Sequence, residues 1–224
     1  MTDTPPGDVT ELEEIVVIGT RPQPGTPIDP NEHQDEVDPN PDEPGTGGGG
    51  LWTQPAVDAE NERQKQCAAK KFEDDLADED EKDDKEFFSL SWILNGQTVT
   101  HAIRGGTGPV ISQGQLDGAM AEFGIDGGDI AGFAHNHPSN HYCPSSGALG
   151  FDEERLNAYP SDNDWGAAGY LVSLGANEDT LSLFVVGCDD ELREFKYKDE
   201  DEIKQSAGRR DLPPPPIAPQ GCPE

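Results

Sequence analysis

The apolar residues of this chain are segregated, and that segregation bounds what can fold. From Glu73 to Asp84 the sequence carries nine acids and one lysine. At Lys85 the composition changes, and apolar and aromatic runs then recur until about residue 200. That stretch is the part able to bury a core. The whole-chain average hides it. Across 224 residues the hydrophobic content is 32% and the formal net charge is −31, whereas typical globular domains are roughly 45–50% apolar. A chain that polar throughout buries too little apolar surface to offset the entropy of ordering it. The expectation is a smaller folded domain between disordered acidic arms.

The same figures exclude function classes. No run of ~18 apolar residues is present, so no membrane span is expected. A chain this negative is repelled by nucleic acid and by anionic lipid, both polyanions. The opening residues Met1-Thr2-Asp3-Thr4-Pro5-Pro6-Gly7 lack the basic and apolar segments of a cleaved secretory signal. The expected location is therefore the cytoplasm of the producing cell, with any export by a route independent of such a signal.

Residues 1–54 read as a Pro/Gly/acidic arm that includes the flexible run Gly47-Gly48-Gly49-Gly50. Inside it, Ile15-Val16-Val17-Ile18-Gly19-Thr20-Arg21 is β-prone. It is either a stray apolar patch or a linear motif that adds a strand to a partner's sheet edge. Residues 55–83 read as a charged helix with a thin apolar face (Val57, Cys67, Ala68, Phe72, Leu76) that decays into a solvated acidic linker. Residues 201–224 read as a flexible, proline-rich tail containing Pro213 to Pro216.

The domain is expected over residues 84–200, with helices flanking a mixed sheet. Strands at 87–93 and 97–103 flank Asn95-Gly96, a strong two-residue hairpin signal. Residues 104–109 read as a loop. Gln113–Phe123 has helical spacing, with Leu116, Met120 and Phe123 on one side. A short strand at 130–134 precedes a loop at 139–150 and a helical turn at 151–158. Ser161 opens another helix through a capping pattern. Strands are expected at 170–174, 181–186 and 192–197. Cys67, Cys143, Cys188 and Cys222 are far apart with no CxxC pair, and are expected as unpaired thiols in a reducing compartment.

The chemistry concentrates at His135-Asn136-His137, directly after the apolar strand. In extended backbone, residues two apart point to the same side, so both imidazoles reach one metal ion. Ser161-Asp162-Asn163-Asp164 supplies a candidate third ligand, Asp164, one turn inside its helix. Two neutral imidazoles and one carboxylate leave a fourth tetrahedral position open, as a catalytic zinc needs. A further carboxylate must then take and return a proton. His33 and His101 read as ordinary surface or strand residues, and Trp92 and Trp165 as core or site-wall aromatics.

Phe133-Ala134-His135-Asn136-His137-Pro138-Ser139, with Pro160-Ser161-x-x-Asp164 after it, resembles the motif of the JAMM (JAB/MPN+) zinc metalloprotease family. The nearest flavour is the bacterial RadC-like and JAB-like toxin branch. The resemblance covers roughly residues 84–200. It implies an α/β, cytidine-deaminase-like JAB/MPN fold holding one zinc ion per chain. It further implies His135, His137 and Asp164 as metal ligands. Glu86, at the start of the first strand, matches the family's general acid/base, with Glu122 as a weaker candidate; Glu86 also borders an acidic run in which Glu79, Glu81 and Glu86 itself could simply be solvated. Ser161 would help hold the water or the oxyanion. One departure is the segment 138–160, far longer than the family's own spacing. It is a surface loop, a lid, or a segment that fills the metal site; it contains His141 and Cys143, which could in principle replace a ligand, although Pro160-Ser161-x-x-Asp164 completes the motif without them.

Two classes of function follow. The first is a zinc metallopeptidase or isopeptidase cutting a protein or peptide substrate. In biological terms it would be a bacterial secreted effector or toxin, delivered into a target cell and countered by an immunity protein with a basic face. The upstream Ile15–Arg21 motif resembles segments found ahead of toxin domains. The second is a metal-free, MPN-like protein-binding module. DNA repair by analogy with RadC is the weakest reading, because the acidic surface repels DNA.

Overall fold

The computed structural model describes residues 16–18, 54–94, 97–100, 104–105, 108, 110–142, 157–206 and 222. Among these the strands are β1 (Val16–Ile18), β2 (Phe87–Leu94), β3 (Gln97–Thr100), β4 (Arg104–Gly105), β5 (Ile130–Asn136), β6 (Ser182–Val186) and β7 (Leu192–Lys196). The helices are α1 (Gln54–Ala77), α2 (Gln113–Phe123), the single turn α3 (Ser139–Tyr142), α4 (Asp162–Ser173) and α5 (Glu200–Ser206). They build the expected α/β architecture, a mixed sheet with flanking helices. The strand order is β1-β3-β2-β5-β6-β7, with β4 also beside β2. Among the described strands only β5 and β6 run parallel; the other pairs are antiparallel. A parallel pair requires a crossover, and α4 lies in it.

Strand alternation divides the core. Phe88, Leu90, Phe133, Leu183 and Val185 point to one face, where they pack with Leu116 of α2 and with Trp165 and Leu171 of α4. Phe87, Ala134, Phe184 and Val186 point to the other, where Ala69, Phe72 and Leu76 of α1 cover them. The helix expected within 55–83 is therefore a layer of the fold, packed on the sheet through Ala69, Phe72 and Leu76. Polar anchors reinforce α1. The buried Lys65 ammonium donates to Thr180 O at 2.8 Å and to Ser182 Oγ at 3.0 Å. It also pairs with Glu62 at 2.7 Å.

The acidic run has defined structure, although most of its carboxylates are exposed. Residues 73–77 finish α1, and the turns that follow dock on the strand end that carries the histidines. Asn140 N–H donates to Asp83 O at 2.9 Å, and Asn140 Nδ2 donates to Asp84 Oδ1 at 2.7 Å.

The expected hairpin closes with Leu94 opposite Gln97. Helix α2 has the expected bounds. Its Ser112 cap accepts from Gln115 N–H while the Gln115 side chain accepts from Ser112 N–H, and Gly124 at φ 62° ends it. Residues 170–174 are not a strand. They are the end of α4, because Trp165, Ala168 and Leu171 recur every three residues and bury one helical face. Gly175, at φ 115°, then reverses the chain.

Three further expectations change. Val16–Ile18 adds a strand to this chain's own sheet, pairing Val17 with Val99 on β3. The expected tail at 201–224 begins instead as α5, whose Ile203 is buried in the core. Cys67 and Cys222 are joined by a disulfide, with Cα atoms 5.4 Å apart, and Cys188 is also disulfide-bonded. Folding brings together cysteines that the sequence separates. The Gly47–Gly50 run, Pro213–Pro216, Cys143 and the 143–156 part of the expected loop and helical turn lie outside the described residues, as do His33 and His101. Among the described residues no helix is long and apolar enough to cross a membrane.

Candidate metal centre

The site sits where β5 leaves the sheet. All seven residues of β5 are buried, so its alternation is enforced by packing on both faces. Phe133, His135 and His137 share one face, and His135 stacks on Phe133 with ring centroids 5.1 Å apart. Asn136 points to the opposite face. Its Oδ1 accepts from Phe87 N–H at 2.6 Å, and its Nδ2 donates to Lys82 O and Lys85 O at 2.9 and 3.2 Å. The residue between the histidines thus staples the acidic turn to the strand and fixes the approach to Glu86.

Asp164 arrives from the first turn of α4. Ser161 caps that helix. Its Oγ accepts from Asp164 N–H at 3.4 Å, and its own N–H donates to the Asp164 carboxylate. This reciprocal capping holds the carboxylate toward the histidines. His135 Nε2 lies 3.2 Å from Asp164 Oδ1, and His137 Nε2 lies 3.1 Å from Oδ2. Ligand atoms from the three buried residues all fall within 4.8 Å of one another, a group able to hold a metal ion.

Two observations test that fit. His137 Nδ1 is 2.6 Å from Asn157 O. A carbonyl only accepts, so Nδ1 carries the proton, and in a neutral ring Nε2 presents its lone pair. Nε2 then faces a carboxylate oxygen, lone pair to lone pair, and the pair needs a cation or a second proton between them. His135 is fully buried, yet neither ring nitrogen has a hydrogen-bond partner. Its Nε2 is near Asp164 Oδ1 but out of hydrogen-bond alignment. Buried polar groups left unpaired are costly, and a metal ion is the partner that this donor set fits.

Glu86 stands at the start of β2. Continuing the register Phe88–His135 by two residues sets it opposite His137. It is 4% exposed, and one oxygen accepts from Ile111 N–H at 3.1 Å. Burial, then repulsion from Asp164, pushes its carboxyl up to about 9, against the pull of the Ile111 hydrogen bond. Asp164 moves the other way. Burial would raise it, but the two imidazoles beside it, His135 first and then His137, hold it well below the usual carboxylate range.

The structure thus brings His135, His137, Asp164 and Glu86 to one place and makes Ser161 the helix cap beside them. It does not bring in His141, which is exposed on α3, nor Glu122, exposed on α2. Sequence reasoning passed over Asn136 and Tyr142. The Tyr142 ring lies 5.5 Å from that of His137. Burial raises its phenol, and the charges of Glu86 and Asp164 add to this. Alternation signals that Asn136 faces away from the metal group, but no residue-type signal marks Tyr142.

No family model, curated protein or solved structure matches this chain.

Proposed function

We propose that the chain is a zinc-dependent metallopeptidase of JAMM type with a JAB/MPN fold, hydrolysing a peptide or isopeptide bond. The observation that carries this reading is the pairing of two buried imidazoles with the two oxygens of Asp164, beside the buried carboxyl of Glu86. His135, His137 and Asp164 would hold the ion. Bound zinc supplies Lewis acidity, lowers the pKa of water toward about 7, and by its charge favours the ionised form of Glu86.

The chain's own groups do the rest. Glu86 would take the proton of the attacking water and return it to the leaving nitrogen once the ion's charge has brought its raised carboxyl back toward neutral pH. Packing around β5 excludes solvent from the ligands. Ser161 holds Asp164 in place by reciprocal capping, and on the family resemblance its hydroxyl would help hold the water or the oxyanion. We place this activity in a secreted bacterial effector, with a protein substrate in the target cell and an immunity protein whose basic face complements the net charge of −31.

Metal analysis and proteomics test the reading together. Purified wild type is expected to carry one zinc per chain and His135→Ala far less. New protein termini, or released isopeptide partners, are expected in cells expressing wild type and not in cells expressing Glu86→Gln. Wild type holding well under one zinc, or identical proteomes, would overturn it.

A further inference from the structure

We propose that Asn157 is a positioning residue of the metal centre, setting the tautomer and orientation of His137; the proposal rests on the metal reading above. Asn157 belongs to the segment 138–160, the feature by which this sequence departs from the motif it resembles. Both described ends of that segment meet at His137. From one end, the Tyr142 ring lies 5.5 Å from the imidazole. From the other, Asn157 O is the acceptor 2.6 Å from Nδ1.

A backbone carbonyl orients a ring only if the backbone is itself held. Asn157 is held on two sides. Its Nδ2 donates to Tyr142 O, so the ends of the segment clasp each other across the histidine. After it, Ala158 and Tyr159 are 2% and 3% exposed, and Tyr159 packs on Phe195 with centroids 5.6 Å apart. The clasp has a chemical consequence. A neutral imidazole has two tautomers, and only the one protonated on Nδ1 leaves Nε2 free to ligate. The hydrogen bond to Asn157 O selects that tautomer before any ion arrives. It also makes the ligating nitrogen more basic, as carbonyl and carboxylate partners of ligand histidines do. On this account Asn157 is part of the metal centre: its side-chain amide secures a main-chain carbonyl, and the carbonyl secures the ligand.

Metal binding tests this without any substrate. Metal-free wild type, Asn157→Ala, Asn157→Leu and Asn140→Ala are titrated with zinc against a chromogenic chelator, and with cobalt(II) for its visible spectrum. Asn157→Leu keeps the shape of the side chain and removes the donor, so the test stands if the alanine variant does not fold. Asn140→Ala loosens α3 from Asp84 and leaves the clasp intact. Zinc is expected to bind about tenfold more weakly to the Asn157 variants, the lower end of what such outer-sphere partners contribute. A shifted cobalt band is expected in those variants, with Asn140→Ala matching wild type in both readouts. Wild-type zinc affinity in the Asn157 variants would overturn the proposal and leave the metal reading standing. So would equal weakening in Asn140→Ala, which marks general loosening of the segment. A wild type that binds no zinc would overturn both.

Discussion

Glu86 and Asp164 are two buried carboxyls that their surroundings push apart. Burial and the Asp164 charge raise Glu86 to about 9, while the two histidines hold Asp164 well below its ordinary range despite burial. On the proposed reading these opposed shifts divide the labour of the site: Asp164 stays ionised and binds the ion, and Glu86 exchanges a proton.

The shift of Glu86 gives the metal-free protein a pH dependence. A group whose pKa is higher in the folded state binds more protons folded than unfolded. Its contribution is complete below about 4.5, the unfolded value, and is lost as pH rises through about 9. Urea unfolding of the chelator-treated protein is expected to show stability falling between pH 5.5 and 8.5, by up to about 1.4 kcal/mol per pH unit. Glu86→Gln should flatten that fall. Parallel wild-type and variant curves would show that Glu86 titrates as an ordinary surface carboxyl.

Helix α1 is a layer of the fold, and Phe72 is its test. The side chain is 2% exposed and packs with Phe87, Ala134 and Phe184 on the face of the sheet away from the metal group. Phe72→Ala should therefore cost about 3–5 kcal/mol, as truncation of a buried phenylalanine does. The denaturation midpoint of the variant measures this directly. A midpoint equal to that of wild type would return residues 55–83 to the status of a linker.

What could be read from the sequence followed local rules. His135 and His137 share a face because they are two apart on a strand, and Ser161 brings Asp164 to them because capping is a three-residue relation. The hairpin at Asn95-Gly96 and helix α2 were legible for the same reason. Readings failed where tertiary packing decides. Tyr170 to Leu174 is apolar enough for a strand, and only the three-residue recurrence from Trp165 to Leu171 assigns it to a helix. The charges of α1 masked its function in the core, because Lys65 is satisfied by Ser182 on β6 and by Glu62, and Glu62 by Lys65 and by Lys196 on β7. Asn157 acts on His137 through a main-chain carbonyl, which every residue has, so no residue type could have announced it.

The Cys67–Cys222 disulfide is the clearest case of a contact invisible to sequence, and it carries the last prediction. It joins the middle of α1 to a position near the end of the chain, across a separation of 155 residues. Closing so long a loop restricts the unfolded ensemble strongly, and native disulfides typically contribute about 2–4 kcal/mol. Peptide mapping without reductant is expected to recover a Cys67–Cys222 cross-linked pair. The double variant Cys67→Ala/Cys222→Ala leaves the Cys188 disulfide in place, and its denaturation midpoint should fall by the equivalent of that energy. Zinc affinity should not change, since Cys67 packs beside Ala68 and outside the clusters that support β5. Free thiols at both positions in protein purified without reductant, or a variant as stable as wild type, would remove the disulfide from the account of this fold.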